Sequence, residues 1–127
     1  MVFIFGGAYQ GKFDFAKINF NLSDGEIMNV NDETEINAEK KCVNGLHAMI
    51  LEQIKNDIDP LAYFLKIIES GAIKDKIFVC DDISSGVVPI DPLMRKWREA
   101  CGRCAALLTK NADEVWRVFC GIATRLK

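Results

Sequence analysis

The feature that most constrains this chain is its opening, Val2-Phe3-Ile4-Phe5-Gly6-Gly7-Ala8-Tyr9-Gln10-Gly11-Lys12-Phe13. A short β-branched and aromatic run stops at paired glycines, and a helical pattern starts beyond Lys12, so the segment predicts strand, tight turn and helix. Its spacing fits G-x-x-x-x-G-K. In such a loop small residues let successive backbone N–H groups converge on phosphate oxygens, while a helix N-terminus and a lysine ammonium add positive potential. Gly6, Gly7, Ala8, Gly11 and Lys12 are therefore the candidate phosphate-binding residues. The alternative is that the glycines only make the turn and Lys12 is solvated. The Ser or Thr hydroxyl that would hold a magnesium ion is replaced by Phe13.

Downstream, short apolar runs at Ile77–Cys80 and Glu114–Phe119 alternate with longer segments of helical period. This predicts a parallel sheet covered by helices, with the N-terminal strand central and the glycine loop at its C-terminal edge. Leu46, Ile50, Leu51, Ile54 and Ile58 recur at helical spacing until Asp59-Pro60 interrupts them, and Leu61, Phe64, Leu65 and Ile68 continue in a second helix that Gly71 ends. Asp91-Pro92 opens a long helix reaching about Lys110, with Leu93, Trp97, Ala100, Cys104 and Leu107 or Leu108 as its apolar stripe. The polar stretch Asn19–Lys41 holds one short strand near Glu26–Val30 and an exposed loop.

At 127 residues without repeat or linker, residues 1–127 are expected to form one domain. Sixteen basic against eighteen acidic residues give a net charge of −2, which argues against nucleic acid or an anionic membrane as partner. No apolar run approaches the ~20 residues of a membrane span. The five cysteines are odd in number and scattered, so free thiols and a cytoplasmic location are expected. Cys101 and Cys104, although spaced C-x-x-C, lie in an apolar helical stripe and read as core rather than a metal or redox pair. No metal site is expected from the residues themselves.

Two further clusters bear on function. Asp81-Asp82-Ile83-Ser84-Ser85-Gly86 follows an apolar strand, where an acid could hold magnesium or act as a base, or else simply order a solvated turn. Arg95, Lys96, Arg98 and Arg103 give the long helix a basic face that could meet phosphate or could be merely solvated. The single histidine, His47, reads as a hydrogen-bonded structural residue.

Motifs in three regions, taken in order, resemble one family, the bifunctional adenosylcobinamide kinase/adenosylcobinamide-phosphate guanylyltransferases of cobalamin biosynthesis. Phe5-Gly6-Gly7-Ala8-Tyr9-Gln10-Gly11-Lys12 resembles their G-G-A-R-S-G-K-S loop, and Asp82 through Pro89 resembles E-V-G-x-G-[IV]-V-P. Asp91 through Arg103 resembles the following helix, with R-x-[FW]-R-[DE] and G-R, and Ala112 through Trp116 resembles A-D-E-V-[WY]. The resemblance implies a three-layer α/β domain like that of P-loop nucleotide-hydrolysing enzymes, GTP or ATP as cofactor, a corrinoid alcohol as phosphoryl acceptor, and assembly into a homo-oligomer; apolar surface left on the helices makes the basic helix with Trp97 the expected packing face. Lys12 and Asp82 become the candidate catalytic residues.

The chain departs from that pattern where chemistry is expected. Phe13 replaces the hydroxyl, Tyr9-Gln10 replaces Arg-Ser, and Asn44 falls where the family's central strand carries an acid, so magnesium would be held weakly. The interval Asn29–Lys41 contains no histidine in place of the family's guanylylated one, and His47 does not match it. Loss of guanylyl transfer is expected, and the alternative to an active kinase is a catalytically impaired homologue that binds nucleotide for regulation or assembly.

Overall fold

The computed structural model describes residues Met1–Lys127. Its elements are β1 (Val2–Gly6), α1 (Lys12–Asn19), β2 (Ile27–Asn29), β3 (Cys42–Asn44), α2 (Leu46–Lys55), α3 (Pro60–Glu69), β4 (Ile77–Asp81), α4 (Pro92–Asn111), β5 (Glu114–Phe119) and β6 (Ile122–Arg125). They form one six-stranded sheet in the order β2-β3-β4-β1-β5-β6. Every neighbouring pair is parallel except β5 with β6, a hairpin whose turn residues Cys120 and Gly121 both adopt left-handed backbone. This is the mainly parallel three-layer α/β architecture expected, with β1 inside the sheet.

Strand alternation divides the core. Phe3, Phe78, Cys80 and Val115 face one side, where they pack with Leu46, Met49, Ile50 and Ile54 of α2, Phe64 of α3, and Cys101, Cys104 and Leu108 of α4. Ile4, Ile77, Val79 and Val118 face the other, against Ala16 of α1. Helices thus cover both faces, which is what lets strands such as Ile77–Cys80 be apolar at every position. Burial pushes the Cys80 and Cys104 thiols up to about 12, so they are un-ionised core groups.

The helix starts follow local chemistry. Asp59 accepts from the N–H groups of Leu61 and Ala62, and Asp91 from those of Leu93 and Met94, each followed by a proline at the first helical position. The first long helix stops earlier than its period suggests. It ends at Lys55, and Asp57 takes a left-handed conformation (φ 58°), so Ile58 lies in the connection to α3. Cys42–Asn44 is a strand too short to stand out by composition; it forms because β2 and β4 flank it in parallel register.

The connections from adjacent strands leave in opposite directions. After β1 the chain enters α1 on one face of the sheet, whereas after β4 it enters α4 on the other. Beyond the C-terminal ends of β1 and β4 the two crossovers therefore part and leave a crevice, the place where open α/β sheets receive ligands.

Candidate functional site

Residues from three connections meet in that crevice. The loop from Gly6 to Gly11 leaves the end of β1 and delivers Lys12 to the first position of α1. Gly6 must lack a side chain, because a Cβ there would come within 2.2 Å of the Val118 carbonyl oxygen. Gly11 has φ 90°, a left-handed conformation that glycine adopts without strain, and no side chain caps the helix it precedes. The first-turn N–H groups of α1 are consequently left to a ligand or to solvent.

Gln10 fastens this loop to the hairpin beyond it. Its side-chain Oε1 accepts from the Cys120 N–H at 2.6 Å, and its carbonyl accepts from the Gly121 N–H at 2.9 Å. The residue that stands in place of a loop serine thus holds the loop against the β5–β6 turn. Tyr9, at the loop tip with φ 56°, is fully exposed.

The Lys12 side chain turns back over the loop. Only 5% exposed, it places Nζ 2.5 Å from the Gly7 carbonyl oxygen and 2.8 Å from Oδ1 of Asp81. Asp81 arrives there because β1 and β4 pair with Gly6 opposite Asp81, which sets the first polar residue of β4 beside the start of the loop. A third group joins from the first turn of α2: His47 Nδ1 accepts from the Asp81 N–H at 3.1 Å, which leaves the neutral imidazole's proton on Nε2, 3.7 Å from Asp81 Oδ2. Burial lowers the His47 pKa and the Lys12 charge adds to that, against a smaller opposing pull from Asp81. Trp97 of α4 anchors this turn by donating its Nε1–H to the His47 carbonyl at 2.7 Å. The indole expected on an intersubunit face is thus partly taken up inside the chain.

Asp82 has a different environment. Its N–H donates to the Gly6 carbonyl, but its carboxylate accepts the hydroxyls of Ser84 at 2.8 Å and Ser85 at 3.1 Å, as in an Asx-type turn. Burial works against its ionisation, yet these hydrogen bonds outweigh burial and hold its pKa below the usual range. Of the sequence candidates, Gly6, Gly7, Ala8, Gly11 and Lys12 share the crevice, Asp82 borders it, and Asp81 and His47 are the groups that reasoning from sequence did not carry forward. The signal for Asp81 was present: once Val2–Phe5 and Ile77–Cys80 pair in parallel, the residue after each run must face its counterpart.

The same groups bear on magnesium. Phe13 offers no oxygen after Lys12, Asn44 donates its side-chain N–H to Asn29 Oδ1 at 2.9 Å, Asp81 holds Lys12, and Asp82 holds two serines. The amides and ammonium suit a phosphate. The set of oxygens does not form a magnesium site of the usual kind.

Comparison with known proteins bears on this geometry. The model of the family described as cobinamide kinase / cobinamide phosphate guanyltransferase matches residues 32–126, about three-quarters of the chain. The chain belongs to this family. The match covers the strands and helices from β3 to β6, with Asp81, Asp82, His47 and the whole of α4, and starts beyond the glycine loop. Among individual cobinamide kinase / cobinamide phosphate guanyltransferase relatives, the bifunctional adenosylcobalamin biosynthesis protein CobU of Salmonella typhimurium is 37% identical over 51 residues, which is 40% of this chain and 28% of that protein. The aligned segment thus spans little more than a quarter of the relative's length.

Proposed function

We propose that this chain binds GTP or ATP at the Gly6–Lys12 loop and serves cobalamin biosynthesis by transferring the terminal phosphoryl group to the hydroxyl of a corrinoid alcohol. The observation that carries the reading is the return of Lys12 over a glycine loop at the parting of two crossovers, in a chain of the cobinamide kinase family. In that transfer the acceptor oxygen bonds to the γ-phosphorus as the bond from that phosphorus to the β–γ bridging oxygen breaks, and the acceptor hydroxyl's proton passes to solvent. Charge then grows on the β-phosphate, where the loop amides and the Lys12 ammonium stabilise it. Lys12 reaches a phosphate by exchanging Asp81 for it. The oxygens near Lys12 are engaged elsewhere and would hold magnesium weakly, and Asn29–Lys41 offers no histidine to carry a guanylyl group.

A second reading, a nucleotide-binding homologue without turnover, is favoured by Phe13 and by the side-chain pairing of Asn44 with Asn29. Incubation of the protein with GTP or ATP and adenosylcobinamide separates the two: phosphorylated corrinoid supports the kinase, binding without product supports the second reading, and neither would overturn both. Residues 1–127 are proposed to act as one domain in the cytoplasm, with no nucleic acid or membrane partner; no helix is long and apolar enough to cross a membrane. Association of identical copies is proposed from the exposed Val87, Val88 and Ile90 before α4 and from Phe119, Ile122 and Leu126 at the β5–β6 edge. Sedimentation as a monomer at micromolar concentration would refute it.

A further inference from the structure

Away from the glycine loop, α4 carries a second set of cations. Arg95, Arg98 and Glu99, and Gly102 and Arg103 succeed one another at three- and four-residue spacing, so they share one face of the helix. That face looks onto the turn after β4 and encloses with Ser84 a cleft of about 350 Å³. The turn lies close to the helix at Gly102, where a Cβ would sit 3.3 Å from Ser84 Cβ and the turn would have to give by a few tenths of an ångström.

The arginines are ordered without being neutralised. Arg98 Nη2 donates to the Gly86 carbonyl at 2.6 Å and Arg95 Nη1 to the Ile90 carbonyl at 2.8 Å, both uncharged acceptors. Arg103 alone has an acid, Glu99 Oε1, at 2.7 Å. Three guanidinium groups against one carboxylate leave the cleft positive in a chain whose net charge is −2. Asp82, on the turn after β4, is engaged by the two serines of that turn, and Asp57 and Asp59 line a neighbouring pocket that Glu99 and Arg103 share with Lys96. Each guanidinium keeps most of its fixed N–H donors for a ligand, and planar forks of this kind match phosphoryl oxygens in pairs.

We propose that this cleft is a binding site for a phosphate-bearing anion, separate from the Gly6–Lys12 loop and filled independently of it. Arg95 and Arg98 are held in place by the carbonyls of the preceding segment and present their remaining donors. Arg103 exchanges Glu99 for the ligand. Glu99 therefore acts as a competitor, and its removal strengthens binding.

Inorganic pyrophosphate, titrated without metal and followed by amide chemical shifts of the intact protein, tests this. The amides of residues 95–103 and of Ser84 should shift with the same dissociation constant in wild type and Lys12→Ala. Binding should weaken about tenfold or more in the double variant Arg95→Gln, Arg103→Gln, as expected on losing charge-assisted hydrogen bonds, and tighten several-fold in Glu99→Gln. The substitutions at Arg95, Glu99 and Arg103 are on exposed side chains, Lys12 is buried, and in every variant the shift pattern of the remaining residues reports whether the fold is intact. Unmoved α4 amides, equal affinities in the arginine and glutamate variants, or loss of binding in Lys12→Ala would overturn the proposal. The last result would assign the anion to the glycine loop and leave the reading of that loop standing.

Discussion

Lys12 Nζ and Asp81 Oδ1 lie 2.8 Å apart at the end of two parallel strands whose register sets Gly6 opposite Asp81. The pair joins the residue expected to hold phosphate to one that would compete with it. It also couples the loop to α2, because His47 contacts the same carboxylate and the Asp81 N–H.

Replacing Lys12 with alanine should reduce GTP or ATP affinity about tenfold or more, from the ~1.5–3 kcal/mol of a charge-assisted hydrogen bond. Calorimetric titration of wild type and Lys12→Ala checks this. Equal heats, or none in either, would mean that the loop serves only as a turn.

Asp81→Asn should separate binding from stability. Without the carboxylate, Lys12 keeps the Gly7 carbonyl but loses its only counter-charge, so unfolding stability should fall by about 1–3 kcal/mol. Nucleotide affinity should rise several-fold, since the ammonium no longer has to leave an acid. Urea denaturation and calorimetry on one preparation measure both, and a drop in affinity would count against the competition.

Gly6→Ala tests the contact between loop and hairpin. The added Cβ would meet the Val118 backbone oxygen at 2.2 Å, and backbone on both sides leaves no flexible group to give way. A loss of about 3 kcal/mol is expected, at the upper end of typical overpacking costs. A melting temperature equal to wild type would show that β5 and β6 can shift away from the loop.

The lowered His47 pKa makes stability depend on acidity in a defined direction. An unfolded histidine takes up its proton near 6.5, whereas burial keeps the folded one neutral to lower pH. Stability from this residue is therefore full above 6.5 and falls as pH drops from there towards the folded value. Denaturation midpoints at pH 7.5 and 5.5 should differ less in His47→Gln than in wild type. The Asp82 carboxylate, with its pKa held low, acts the same way only below its ordinary value of 3.8, so the two effects occupy separate ranges.

Local sequence chemistry determined much of the molecule. Apolar runs of strand length, helical spacing from Leu46 and from Leu93, the Asp-Pro starts at 59–60 and 91–92, and the glycine turn before Lys12 each act within a few residues, so they could be read along the chain. Those signals were enough for the layers, the central β1 and the loop that presents Lys12. Tertiary structure decided the rest. Three-residue strands such as Cys42–Asn44 exist because neighbours pair with them, and the loss of Ile58 from α2 follows from a left-handed turn at Asp57. Asp81 rather than Asp82 meets Lys12 because strand register and pleat, set 75 residues apart, turn one acid to the loop and leave the other to its serines. His47 enters the site only because α2 begins beside the end of β4 and Trp97 holds its carbonyl from α4. Such contacts depend on where whole elements come to rest, and no spacing within one segment encodes them.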